Sequence, residues 1–175
     1  MQRLDPERFD IRMGLLRAAG PYMGQVDMSR VLVASEGERH FNYDRPNSAQ
    51  YTTGKVVGGA VRAPLAFRKM VRDTQPDVVM SFLKGTNLLA WLSLFGMGRS
   101  RPKWIAREGN NVLSVIEEES PNRIATAASL GLTKKAYRAA DAVLANSSDM
   151  AQGLIHDLGL DPSRMRMINN PIAIG

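Results

Sequence analysis

From Val78 to Ile168 the chain alternates short apolar runs with segments of helical period, and this alternation limits the fold more than any other feature. Val78-Val79-Met80-Ser81-Phe82, Lys103-Trp104-Ile105-Ala106-Arg107, Ala142-Val143-Leu144-Ala145 and Met165 to Ile168 read as strands. Between them lie amphipathic stretches: Leu88 to Phe95, Ile124 to Ala139 (broken or softened near Gly131), and a helix after Ser147 or Ser148. In the last of these Met150, Leu154 and Leu158 recur every fourth residue, and Ala151 and Ile155 widen the stripe. Gly159 stands where a left-handed stop is wanted, and Asp161-Pro162-Ser163 reads as a turn. Strand and helix in strict alternation imply crossover units and a parallel sheet. The expected fold class is therefore α/β: a Rossmann-like, three-layer α/β/α domain with a mostly parallel sheet.

Upstream the pattern is weaker. Phe9 to Leu16 reads as a strand ended by Gly20-Pro21, and Val31-Leu32-Val33 as a second. Residues 36–59, rich in turn formers, read as a long surface loop. Pro64 to Thr74 reads as a helix with Pro64 in its first turn. The expected organisation is one domain over residues 1–170 followed by a hinge, 171–175.

Composition removes several classes of function. With no cysteine and two separated histidines, His40 and His156, there is no ligand spacing for a zinc site. The net charge of +6 favours an anionic partner, but aromatics are only 6% of the chain, so the stacking platforms of a nucleic-acid surface are not expected. The strongest apolar run, Leu88 to Met97, is shorter than the ~20 residues a membrane span needs. The amino terminus has no apolar signal core, so a cytoplasmic location is expected.

Ligands of parallel α/β sheets bind at the carboxyl ends of the strands, and three such ends carry polar groups. Ser81, Lys84, Thr86 and Asn87 follow the first strand of the alternating series, where backbone N–H groups and an ammonium suit an anion or sugar hydroxyls. The alternative there is that Thr86 or Asn87 caps a helix while Lys84 is solvated. Arg107, Glu108 and Asn110, with Gly109 and Asn111, can hold a polyhydroxylated or phosphorylated ligand, or simply form a turn in which Arg107 pairs with Glu108 or a neighbour. Ser147 ends the third strand and suits a helix cap as well as a ligand. No histidine lies near these serines to activate one, and Glu117-Glu118-Glu119 read as a solvated face.

The tail Ala139-Ala140-Asp141-Ala142-Val143-Leu144-Ala145-Asn146-Ser147-Ser148, followed by Leu158-Gly159-Leu160-Asp161-Pro162 and Ile168-Asn169-Asn170-Pro171-Ile172, resembles the retaining group 1 glycosyltransferases of family 4. Leu4-Asp5-Pro6-Glu7-Arg8-Phe9, Gln75-Pro76-Asp77-Val78-Val79 and Arg107-Glu108-x-Asn110 also fit, so the resemblance spans nearly the whole chain.

The resemblance implies the acceptor-side half of a two-domain enzyme of the GT-B fold. Such an enzyme moves a hexosyl group from a nucleotide sugar to a glycan or lipid-linked acceptor, with retention and without a metal cofactor, in polysaccharide assembly. It places Arg107, Glu108 and Asn110, with Ser81 and Lys84, at the cleft. It also implies a first strand and Gly-Gly turn ahead of Leu4, and a donor domain after the hinge. A chain without these is expected to be incomplete as a catalyst. A non-catalytic Rossmann-like module pairing with a separate donor-domain chain is the second expectation, and a small hydrolase or nucleotide-binding enzyme the last. The basic stretch Arg62 to Arg72 is the expected place for any peripheral contact with anionic lipid.

Overall fold

The computed structural model describes residues 5–16, 18, 23–33 and 53–170, with residues 53–61 described by their backbone alone. Two compact units result, Met1–Thr74 and Gln75–Gly175.

In the first unit β1 (Met13–Leu15) pairs in parallel with β2 (Val31–Val33), Met13 opposite Val31 and Leu15 opposite Val33. The strand expected from Phe9 is shorter because β2 offers only three partners; Phe9 is exposed, and Asp10 pairs locally with Arg12. Helix α1 (Thr53–Thr74) begins well before Pro64, which lies in its interior. The expected loop is therefore helical over residues 53–59, and residues 36–52 lie outside the described residues. Proline deletes one rung of a helix at a cost of ~3 kcal/mol but does not by itself end one. The helix packs against β1 at Gly14: a Cβ there would lie 2.9 Å from Met70 Sδ and 3.3 Å from the Phe67 ring. A side chain at position 14 would require the Met70 thioether to shift.

The second unit holds the sheet. Its strands β3 (Val78–Phe82), β4 (Lys103–Arg107), β5 (Ala142–Ala145) and β6 (Met165–Met167) are parallel and adjacent in chain order. Helices α2 (Leu83–Leu94), α3 (Val112–Glu119), α4 (Arg123–Arg138) and α5 (Ser148–Leu158) connect them. Because α4 touches both α2 and α5, while α2 lies on β3 and β4 and α5 on β5 and β6, these three form one layer on one sheet face. The sheet side chains beneath them, Trp104, Ala106, Val143 and Ala145, form the core with Leu94, Ala136, Tyr137, Leu154 and Leu158. This is the expected Rossmann-like α/β architecture.

Side-chain caps set most helix starts. Asn111 accepts from Ser114 N, Asn122 from Ala125 N and Ser147 from Met150 N, each worth ~1 kcal/mol. Helix α3 was not expected. Its signature, Asn111 followed by buried Val112 and Ile116 one turn apart, lies between the turn read at Gly109 to Asn111 and the acidic face read at Glu117 to Glu119. Helix α4 runs through Gly131 unbroken, held by contacts to α2, α3 and α5 that outweigh the ~1 kcal/mol propensity cost of one glycine.

Gly159 ends α5 with φ 59°, and a Cβ there would lie 2.5 Å from Arg138 Nη2. Gly159→Ala should therefore cost about 1–2 kcal/mol from the left-handed backbone, plus whatever displacing Arg138 adds. An unchanged urea midpoint in the variant would refute this.

Asp141 joins β4 to β5 at the amino end of the sheet. Trp104 N donates to its Oδ2 at 2.8 Å, Arg101 pairs with it at 2.9 Å and Lys103 at 3.4 Å. Burial pushes this carboxyl up, but the Trp104 N–H and the charges of Arg101 and Lys103 outweigh it, so the net shift is downward. A carboxyl lowered in the folded state stabilises the fold above its unfolded value of 3.8, and the contribution disappears as pH falls through the folded value. Urea titrations of the native protein and Asp141→Asn should thus differ at neutral pH and converge as the pH falls through the lowered folded value. Parallel pH curves would contradict the assignment.

Candidate functional site

At the carboxyl ends of the strands the register aligns Phe82 with Arg107, and Arg107 with Leu144. Successive strand residues point to opposite faces, so Arg107 and Glu108 diverge. This separates the crest into a buried scaffold and an exposed polar surface.

The scaffold is one hydrogen-bonded chain. Trp104 Nε1 donates to Ser81 Oγ at 2.8 Å, and Ser81 Oγ donates to Asn87 Oδ1 at 2.6 Å. Asn87 Nδ2 donates to Tyr137 Oη at 2.8 Å and to the Arg107 carbonyl at 3.2 Å. Tyr137 Oη donates in turn to Glu108 Oε2. The other oxygen, Glu108 Oε1, accepts from Gly109 N at 2.9 Å and Asn110 N at 3.1 Å. All five side chains are buried, and among the described residues no buried side-chain polar atom lacks a partner. Each hydroxyl accepts from one neighbour and donates to the next, so the bonds polarise one another. Burial first, then the Glu108 charge and hydrogen bond, hold the Tyr137 hydroxyl far above its ordinary range. It therefore stays a proton-bearing donor, and the chain ends in a carboxylate that shapes the loop 108–111.

The exposed surface begins with a sharp strand-to-helix turn. Helix α2 starts at Leu83, directly after β3, and Leu83 takes φ 69°. A left-handed leucine costs roughly 1–2 kcal/mol and persists only where the surroundings require it. Here the strand end and the buried Asn87 one turn later fix both sides of the turn. The first N–H groups of α2 receive no side-chain cap and face the crest beside exposed Thr86. The Arg107 guanidinium lies 5.6 Å from the centre of the exposed Phe82 ring and donates to Asn170 Oδ1. Asn110 is exposed next to it.

The residues singled out in the sequence therefore divide. Arg107, Asn110 and Thr86 are presented at the crest. Ser81, Asn87 and Glu108 lie beneath it as its framework. Lys84 is buried and pairs with Glu119 of α3, so neither is merely solvated. Ser147 caps α5. Neither Thr86 nor Asn87 caps α2, because packing of Asn87 under the crest starts the helix a turn earlier than the apolar run does. Sequence reasoning missed Tyr137, Phe82 and Asn170 as parts of this site. Tyr137 reads as one more core residue of a helix, and Asn170 lies 63 residues from its partner, with no local signal joining them.

A parallel α/β sheet with a cation, amides and uncapped helix N–H groups at its strand ends has the architecture of a Rossmann-like domain, whose ligands bind at that edge. Residues 28–174 match the model for Glycosyltransferase Family 4, and the chain belongs to that family. No curated protein matches it.

Proposed function

We propose that this domain is the acceptor side of a retaining hexosyltransferase. It receives a glycan or lipid-linked acceptor at the crest formed by Arg107, Asn110, Thr86 and the start of α2. A second Rossmann-like domain beyond the hinge holds the nucleotide sugar, and no metal cofactor takes part. The observation carrying this reading is the division of the crest. Five buried groups rigidify the loop 108–111 beneath a surface that presents the Arg107 guanidinium, the Asn110 amide and the uncapped N–H groups of α2, the donors that hydroxyl-rich and phosphorylated ligands need. Such donors, held fixed in a closed cleft, also stabilise a departing diphosphate.

Amide NMR titration of the 175-residue protein with short oligosaccharides and with inorganic pyrophosphate tests the proposal. Shifts at Gly85, Thr86, Gly109 and Asn110 are expected, without turnover of nucleotide sugars by this polypeptide alone. Shifts confined to the opposite end of the strands would overturn the placement. Sugar transfer by the isolated polypeptide would overturn the need for a second domain. The alternative of a binding module without catalysis predicts the same shifts, and differs in that no donor domain restores transfer.

A further inference from the structure

The ion pair between Lys84 of α2 and Glu119 of α3 joins two unequal partners. The Lys84 side chain is 10% exposed and that of Glu119 61%. Lys84 is the second residue of α2 and lies on its buried face, one turn before Asn87. Asn87 is itself tied to the crest, where it donates to the Arg107 carbonyl. Packing of α2 therefore fixes the ammonium in place. The carboxylate stands on the last turn of an eight-residue helix and faces water.

The sequence of α3 explains why Glu119 reaches this cation. Val112, Ile116 and Glu119 share one stripe of the helix, and the first two are buried. Glu119 thus continues the inward stripe, while Glu117 and Glu118 are exposed. Residues 108–122 hold four glutamates and no Lys or Arg. Three of the four end α3, where the helix dipole already leaves partial negative charge. Lys84 brings a cation to this end from outside the segment. Without it the last turn would hold three like charges at the negative end of a helix.

We infer that the pair is a latch: Glu119 occupies Lys84 while the crest is empty, and the diphosphate of a ligand displaces it. The inference rests on the proposed crest site and gives that site a further cation and a moving part. The exchange keeps Lys84 paired throughout, so no buried charge is left uncompensated. A diphosphate brings more charge and more acceptor oxygens to the ammonium than a carboxylate does. At Gly85, the next residue, a Cβ would meet nothing within 4 Å, which leaves room for a ligand to approach. Glu119, already facing water, returns to it at little cost, and the last turn of α3 loosens. Asn122 caps α4 just beyond, so the movement is confined to α3 and the Ser120-Pro121 link.

Isothermal titration of the full chain with pyrophosphate, together with amide hydrogen exchange, tests the latch. Pyrophosphate should speed exchange at Glu117, Glu118 and Glu119 of the unmodified protein. Glu119→Gln should bind pyrophosphate about tenfold more tightly, the gain from removing a contact closed about nine-tenths of the time. Glu117→Gln makes the same charge change on the exposed face and should alter affinity far less. Lys84→Met should weaken binding by at least about tenfold and loosen the last turn of α3 without any ligand. Equal affinity in the parent, Glu119→Gln and Lys84→Met would overturn the latch and leave the crest reading standing. So would a gain in Glu117→Gln as large as in Glu119→Gln. A gain specific to Glu119→Gln, with no loss in Arg107→Ala, would keep the latch and count against the crest reading. No binding by any of these proteins would overturn both. If Lys84→Met fails to fold, exchange in the unmodified protein decides: an α3 end that pyrophosphate does not loosen overturns the latch. Geranyl diphosphate and uridine diphosphate in the same titrations separate the sources of the diphosphate. Tighter binding of the first assigns it to a lipid-linked acceptor and of the second to a nucleotide donor, and either supports the latch where Glu119→Gln strengthens it.

Discussion

Replacing Glu108 with alanine should cost about 3 kcal/mol or more, the largest expected effect of any single change at the crest. The substitution leaves the Tyr137 hydroxyl buried without an acceptor and frees Gly109 N and Asn110 N. Asn110 is exposed and recovers a bond to water, but Tyr137 cannot. Tyr137→Phe removes the other partner and strands one oxygen of a buried carboxylate, at about 1–3 kcal/mol. Because both variants break the same contact, the double variant should lose less than the sum, with a coupling of roughly 0.5–3 kcal/mol. Urea unfolding of the four proteins measures it. Additive losses would mean that the two groups act separately. A Glu108→Ala protein within about 0.5 kcal/mol of the parent would mean that the network does not support the loop.

Arg107→Ala is the second. Its guanidinium is partly exposed and rests on Phe82, so its loss should cost little stability. For a phosphorylated ligand at the crest, removing one charged donor should weaken binding by about 10- to 100-fold, since such hydrogen bonds are worth roughly 1.5–3 kcal/mol. Arg107→Lys should recover only part of this, because an ammonium keeps the charge but not the planar fork or the stacking on Phe82. Isothermal titration with pyrophosphate reads the affinities, and urea unfolding of the same samples separates binding from stability. Equal affinity in parent and Arg107→Ala would remove Arg107 from the site.

How much of this was visible beforehand depends on the range of the interaction. The four strands of the sheet are local apolar runs, and the Ser147 cap and the Gly159 stop are single-residue signals, so all could be read from neighbours in the chain. Helix α3 was missed because eight residues with two buried positions give too little periodicity. The start of α1 is not legible because Pro64 suits a first turn, although a helix can contain a proline at a cost. At the crest the residue numbers were legible and the directions were not. Arg107 and Glu108 are neighbours in sequence yet serve opposite faces, a consequence of strand alternation that is felt only when the strand is placed in its sheet.

By itself the sequence determined the parallel α/β class and the order of the four strands after Val78, because hydrophobic period and turn chemistry act over a few residues. Tertiary structure alone decided which polar residues are framework and which are presented. Ser81, Asn87, Glu108, Trp104 and Tyr137 come from two strands, the loop after the second of them and two helices. Whether a buried polar group is scaffold or ligand contact depends on the partner folding brings to it, and here those partners are up to 50 residues away.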